Sequence, residues 1–252
     1  MKISQFHLLS SVALLAVVAC NAPRLAAAPA NASAAKKPAA KPKPQPAKPA
    51  APKTDPNMVV LQLKLPKPTF IGTPKNIPAG TTVEKPTGKP RAPFYVPRGT
   101  VNLAAGKTVT ASDSAPVVGE PSQITDGNKE AGDGNFVEFG FGKQWVQIDL
   151  ERSANLSALL MWHTHSEASV YHDVVVQVSD DADFISGVKT VFNNDQDNSA
   201  GLGRGTDREY FELAEGKLIP LKNVKARYVR VYSNGSTGGD ENRFTEIEVY
   251  GK

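Results

Sequence analysis

The chain has 252 residues with 29 basic and 25 acidic side chains and a single cysteine, Cys20, so no intrachain disulfide can form. The charge is unevenly placed: residues 1–100 hold 15 Lys and Arg against two acids, Asp55 and Glu84, whereas residues 101–252 hold 14 against 23. The basic isoelectric point therefore belongs to the first hundred residues. The rest is acidic and lacks a basic face with interleaved aromatics, which argues against nucleic-acid recognition.

Lys2 and the apolar run over residues 8–19 form a charged start and a hydrophobic stretch too short to span a bilayer, the pattern of a secretory signal. The run ends Val17-Val18-Ala19-Cys20. Small residues before a cysteine resemble the bacterial lipobox. That resemblance implies a signal peptide over 1–19, cleavage before Cys20 and acylation of Cys20. An ordinary signal peptide with an incidental cysteine is the alternative. More than one acyl chain gives stable membrane anchoring where a single one is marginal. Asn21 in place of Asp favours, by resemblance to sorting signals of Gram-negative bacteria, the outer membrane over the inner.

Residues 20–57 are dominated by Ala, Pro and Lys and show no apolar periodicity. Such a segment buries too little surface to offset its ordering entropy and is expected to be a disordered tether. Its proline density favours an extended spacer reaching on the order of 100 Å. Its lysines either rest on an anionic surface or keep the tether solvated. Residues 58–100 differ. Residues 58–65 (MVVLQLKL) read as one strand, and prolines then recur among Phe70, Ile71, Phe94, Tyr95 and Val96. This predicts an irregular extended arm lying against the following domain.

From residue 101 the pattern becomes short apolar runs punctuated by Gly, Asn, Asp and Ser. Residues 145–150 alternate, with Val146, Ile148 and Leu150 on one face. Residues 156–162 form a nearly continuous apolar run, as in a strand covered on both faces. Residues 173–179, 226–232 and 245–250 are also strand-like, and residues 181–187 suit one short helical turn. Seven or eight short strands in roughly 150 residues predict an all-β sandwich of the jelly-roll type over 101–252.

Five segments then carry a resemblance in order: residues 102–112 (NLAAGKTVTAS), 124–128 (ITDGN), 144–150 (QWVQIDL), 227–231 (RYVRV) and 245–251 (TEIEVYG). Together they resemble discoidin-type (coagulation factor V/VIII C-type) domains. That family has the galactose-binding-like fold, which family 32 carbohydrate-binding modules also use. The resemblance implies a structural Ca²⁺ held by Asp126 and Glu246, with Asn128 and Asp133 as further oxygen ligands. Ca²⁺ takes six to eight oxygen donors, while Asp-Gly pairs also make ordinary turns. The resemblance also implies glycan recognition by loops at one end of the sandwich. Trp162 and Tyr171 would stack on sugar rings, with His163, His165, Asn242 and Arg243 as hydrogen-bonding groups. The alternative places Trp162 in the core and gives the histidines backbone partners. A zinc site on the histidines has no defined fourth ligand.

Residues 193–199 (NNDQDNS) predict an acidic surface loop rimming the ligand site, where a second Ca²⁺ is conceivable. His172 and Asp173 are adjacent and, on a strand, would point to opposite faces. No nucleophile elbow, zinc-protease motif or dinucleotide fingerprint occurs. The expectation is a non-catalytic, lipid-anchored glycan-binding protein of the cell envelope. The alternative is an envelope lipoprotein that uses the same fold as a structural or protein-docking face.

Overall fold

The computed structural model describes residues 55–69, 82–132 and 134–252. Cys20, the signal segment, most of the tether and Asp133 lie outside the described residues.

Ten strands carry the described chain: β1 (Met58–Val60), β2 (Tyr95–Pro97), β3 (Val101–Asn102), β4 (Val109–Ala111), β5 (Val137–Phe141), β6 (Gln144–His163), β7 (Val175–Ser179), β8 (Lys189–Asn193), β9 (Lys217–Ser233) and β10 (Glu241–Gly251). The only helical element among the described residues is a 3₁₀ turn, Pro121–Thr125. The main sheet is antiparallel, ordered β3-β10-β6-β9-β7-β8, with β4 on β6 and β5 on β10. β1 and β2 form a separate ribbon. The architecture is the all-β jelly-roll sandwich that the strand pattern predicts.

Two strands are far longer than the sequence pattern indicates, because each bends and continues in the same ladder. β6 is 20 residues long and β9 is 17. Between Asp149 and Ala154 the register shifts, and Glu151 has a positive φ of 66°. A bulge of this kind turns a strand through a corner without ending its pairing. The corner is held by a two-point ion pair: Arg227 Nε lies 2.7 Å from Asp149 Oδ1 and Nη2 lies 2.8 Å from Oδ2. Beyond the corner, β6 leaves β4 and pairs with β10.

The two halves of β6 and β9 enclose one core. Val146, Ile148 and Leu150 meet Leu159, Met161, Val229, Val231, Ile247 and Val249. The apolar run at 156–162 is buried on both faces as predicted. Its odd-numbered side chains enter that core. Ala158, Leu160 and Trp162 face the other way, where Leu61, Leu63, Phe94 and Leu218 cover them. The Pro-rich segment thus supplies the second cover. Its strand is shorter than residues 58–65: β1 stops at Val60, and Leu61 and Leu63 turn down onto the Trp162 face. The expected helical turn at 181–187 is also absent. There the Asp181 carboxylate accepts from the N–H groups of Asp183, Ile185 and Ser186 and wraps the chain around itself.

Gly216 lies against Trp162 with φ +63°, and an added Cβ would sit 2.5 Å from Trp162 Cε2 and 2.7 Å from Nε1. Gly216→Ala is expected to destabilise the fold by roughly 2–4 kcal/mol, from the left-handed backbone and the overpacking together. Chemical denaturation followed by circular dichroism checks this; an unchanged midpoint contradicts the packing described.

Candidate functional site

Strand pairing decides where the loops meet. Gln144 at the start of β6 pairs with Ser233 at the end of β9, and Met161 near the end of β6 pairs with Lys217 at the start of β9. Val175 and Asn193 lie beside Tyr232 in the same ladder. The loops 164–174, 194–216 and 234–240 therefore emerge at one end of the sandwich. They are laced to one another: Val170 bridges Phe211, Tyr171 bridges Ser236, and His172 and Asn234 exchange backbone bonds with Gly235 and His172 at 3.0 Å each.

The residues expected to recognise a glycan are gathered at this end, but most of them are inside it. Trp162, His163, His165 and Asn242 have no exposed surface, and Tyr171 is buried. Trp162 donates its indole N–H to Ala214 O at 3.0 Å beneath the arm. His163 stacks on Tyr171 with ring centroids 4.0 Å apart and pairs through Nδ1 with Glu212 Oε1 at 2.7 Å. His165 bonds through Nε2 to Lys129 O at 2.8 Å. The three histidines take separate partners, His172 turning to Glu209, so they do not converge on a metal.

Asn242 has spent its hydrogen-bonding capacity within the fold. Its Nδ2 donates to Gly140 O and Gly142 O, and its Oδ1 accepts from Ser233 Oγ and Gly235 N, all within 2.8–2.9 Å. It clips two turns together and has nothing left for a ligand. Arg243 is partly exposed, yet its Nε is 2.6 Å from Glu138 Oε2 and its guanidinium covers Phe136. These placements correct the expectation of a recognition surface built from Trp162, His163, His165, Tyr171 and Asn242: a sugar ring has no access to buried faces already packed or bonded.

The open ground at this end is a polar cleft of about 480 Å³ beside them, lined by Thr82, His172, Asp173, Asn194, Gln196, Asp197, Ser199, Glu209 and Asn234. Asp173 has φ +52°, and this left-handed residue breaks the strand alternation that would separate it from His172. Both side chains consequently line the cleft. Asp173 Oδ2 accepts from Ser199 Oγ at 2.7 Å and Asn234 Nδ2 at 2.8 Å. Asp195, beneath, accepts from the N–H groups of Ser199 and Ala200; burial raises its carboxyl, whereas the Ser199 hydrogen bonds lower that of Asp197. Carboxylate oxygens of Asp173, Asp195 and Asp197 lie within 4.8 Å of one another, close enough to hold a cation. The acidic loop was legible as a rim; Asp173, Glu209 and Asn234 carried no sequence signal that joined them to it.

A second, separate place concerns Glu246. Gly127 N–H donates to Glu246 Oε2 at 3.1 Å, and Oε1 is buried without a partner. Desolvation pushes this carboxyl up to about 8, with the Glu248 and Asp126 charges adding to it. Lys129 is close, but its ammonium is already paired with Glu248. Asn128 is held within its loop, Nδ2 to Asn135 Oδ1 at 2.6 Å. A buried carboxylate oxygen without a donor, facing a loop that carries a second carboxylate, suits an oxygen-seeking cation.

No family model matches the chain, and no curated protein matches it. Among solved structures, the chain is similar to a family 89 glycoside hydrolase from Clostridium perfringens in complex with 2-acetamido-1,2-dideoxynojirmycin, at 20% identity and a TM-score of 0.45 over 60% of this chain. The chain spans 15% of the length of that enzyme. It is also similar to chitosan-binding module 1 of a chitosanase/glucanase from Paenibacillus sp. IK-5, at 23% identity and a TM-score of 0.43, covering 60% of this chain and 99% of that one. A third is the CBM32 of AlyQ in complex with 4,5-unsaturated mannuronic acid, at 16% identity and a TM-score of 0.41, covering 56% and 92%. The last two are carbohydrate-binding modules, the kind of protein that the sequence resemblance implies.

Proposed function

We propose that the protein is a non-catalytic glycan-binding lipoprotein of the cell envelope, and that it binds through the loop-end cleft. The observation that carries this reading is the composition of the cleft wall: Asp173, Asp197, Glu209, Gln196, Ser199 and Asn234 present acceptors and donors at an accessible surface. Polyhydroxylated ligands need such convergent polar groups, placed by a rigid scaffold. No nucleophile–base pair of the kind that acyl or glycosyl transfer requires supports catalysis here. The lipobox-like Cys20 and the basic tether would place the domain at a membrane surface, with the outer membrane favoured. Glu246 and Asp126 would hold a structural Ca²⁺, which neutralises the buried carboxylate and ties the 126–128 loop to β10.

Three outcomes follow. In calorimetric titration of the full chain with a panel of oligosaccharides, Asp173→Ala and Asn234→Ala should each weaken the binding observed at least about tenfold, the size expected from losing a good hydrogen bond to a charged or well-fixed group. Trp162→Phe should leave affinity unchanged while lowering stability; a loss of affinity on that change instead would restore the tryptophan as a ligand contact.

In the absence of calcium, Glu246 makes the fold less stable as pH rises. Its folded-state value near 8 exceeds the unfolded one, so the native state binds the extra proton and stability declines from about pH 4.5 to about pH 8. Glu246→Gln should flatten that slope. Calcium should raise the melting temperature at pH 8 in the parent and not in Glu246→Gln; equal response to a chelator in both rules the site out.

Cys20→Ser should move the protein from the membrane fraction to the soluble fraction of the producing bacterium and remove the acyl mass from its N-terminal peptide. Retention of the variant in the membrane pellet contradicts lipid anchoring.

A further inference from the structure

We infer that the loop-end cleft selects a glycan carrying a free amine, an amino sugar in its cationic form. This rests on the glycan-binding reading and specifies its ligand.

The first observation is charge. Asp173, Asp197 and Glu209 line the cleft and Asp195 lies beneath it, with three of these carboxylates within 4.8 Å of one another. Among the described lining residues His172 is the one basic side chain, and its Nδ1 is held by Glu209 Oε1 at 3.1 Å. Carboxylates this close repel one another, and no lysine or arginine of the lining compensates them. A cationic ligand relieves that repulsion; a uronate would add to it.

The second observation is independent of charge. Asn194 also lines the cleft and is only 3% exposed. Its Oδ1 accepts the N–H of Val174 at 2.6 Å, which fixes the orientation of the amide. Its Nδ2 is buried with no partner. An unsatisfied buried donor costs on the order of 1–3 kcal/mol and calls for an acceptor. A bare metal ion cannot supply one, since an amide N–H₂ does not ligate a hard cation. A sugar hydroxyl or ring oxygen can. The cleft therefore pairs acceptors of negative charge with one neutral donor. An amine with a hydroxyl on the neighbouring ring carbon complements both. N-acetylation removes the positive charge and adds bulk at the same atom, so acetylated sugars meet the donor but not the carboxylates.

The test is calorimetric titration of the full chain with fully deacetylated glucosamine oligomers, the same oligomers fully N-acetylated, and oligogalacturonate, at mildly acidic pH where the amine is charged. Calcium chloride alone serves as a fourth probe. The deacetylated oligomer should bind at least about tenfold more tightly than the acetylated one, and its affinity should fall with added salt. Asp173→Asn keeps the shape and tolerates the left-handed backbone, and Asp197→Asn changes an exposed side chain; each should narrow the preference severalfold while leaving the melting temperature near that of the parent. Equal affinity for both oligomers, tighter binding of the uronate, or calcium heats abolished by these variants without any amine preference overturns the inference while the glycan-binding reading stands. Absence of binding by every oligosaccharide overturns both.

Discussion

The long antiparallel pair of β6 and β9 governs the rest of the molecule. Each strand leaves one end of the sandwich, turns a corner and returns to that end, so the residues flanking both strands are forced together. The corner depends on a single two-point ion pair between Asp149 and Arg227, which also holds the Asp149 carboxyl below the ordinary carboxylate range. A bidentate arginine–carboxylate contact fixes direction as well as distance. Because the corner is set in this way, the loops at 164–174, 194–216 and 234–240 have fixed bases and need only close over one another. They do so with backbone bridges and with Asn242, whose four hydrogen bonds clip the 140–142 and 233–235 turns.

Much of this architecture was legible in the amino-acid pattern. The alternation of Val146, Ile148 and Leu150 marks one covered face, and the apolar run at 156–162 marks a strand covered on both. What the pattern does not contain is the identity of the second cover. Prolines between residues 66 and 97 exclude a central strand, yet they do not prevent Leu61, Leu63 and Phe94 from lying on Trp162. An aromatic residue at the end of a strand near polar loops then reads equally as core or as a sugar platform. The apolar run already contained the answer, since a strand buried on both faces has no outward side on which Trp162 can stand.

The site was less legible, for a different reason. Residue type and position in the chain say which groups reach the loop end, not whether their polar atoms are already used. His163, His165 and Asn242 arrive there and are consumed by Glu212, by the Lys129 carbonyl and by two turns. Conversely, the strand-alternation argument separates His172 from Asp173, and the positive φ at Asp173 cancels it. That backbone choice is tolerated because Asp173 is anchored by Ser199 and Asn234 from two other loops, a long-range condition that a linear pattern cannot express. The resulting cleft shares the negative sign of the domain, opposite to that of the first hundred residues, so ligand selectivity and tether electrostatics are separated along the chain.

The central claim is that recognition occurs at the loop-end cleft and not at the aromatic cluster beneath the arm. Amide and indole chemical-shift mapping by NMR during titration with a bound oligosaccharide addresses it directly. The account predicts shifts at His172, Asp173, the 194–199 loop and Asn234, with the Trp162 indole N–H unmoved on its Ala214 acceptor. A perturbed Trp162 indole signal, with those loop amides unchanged, would contradict it.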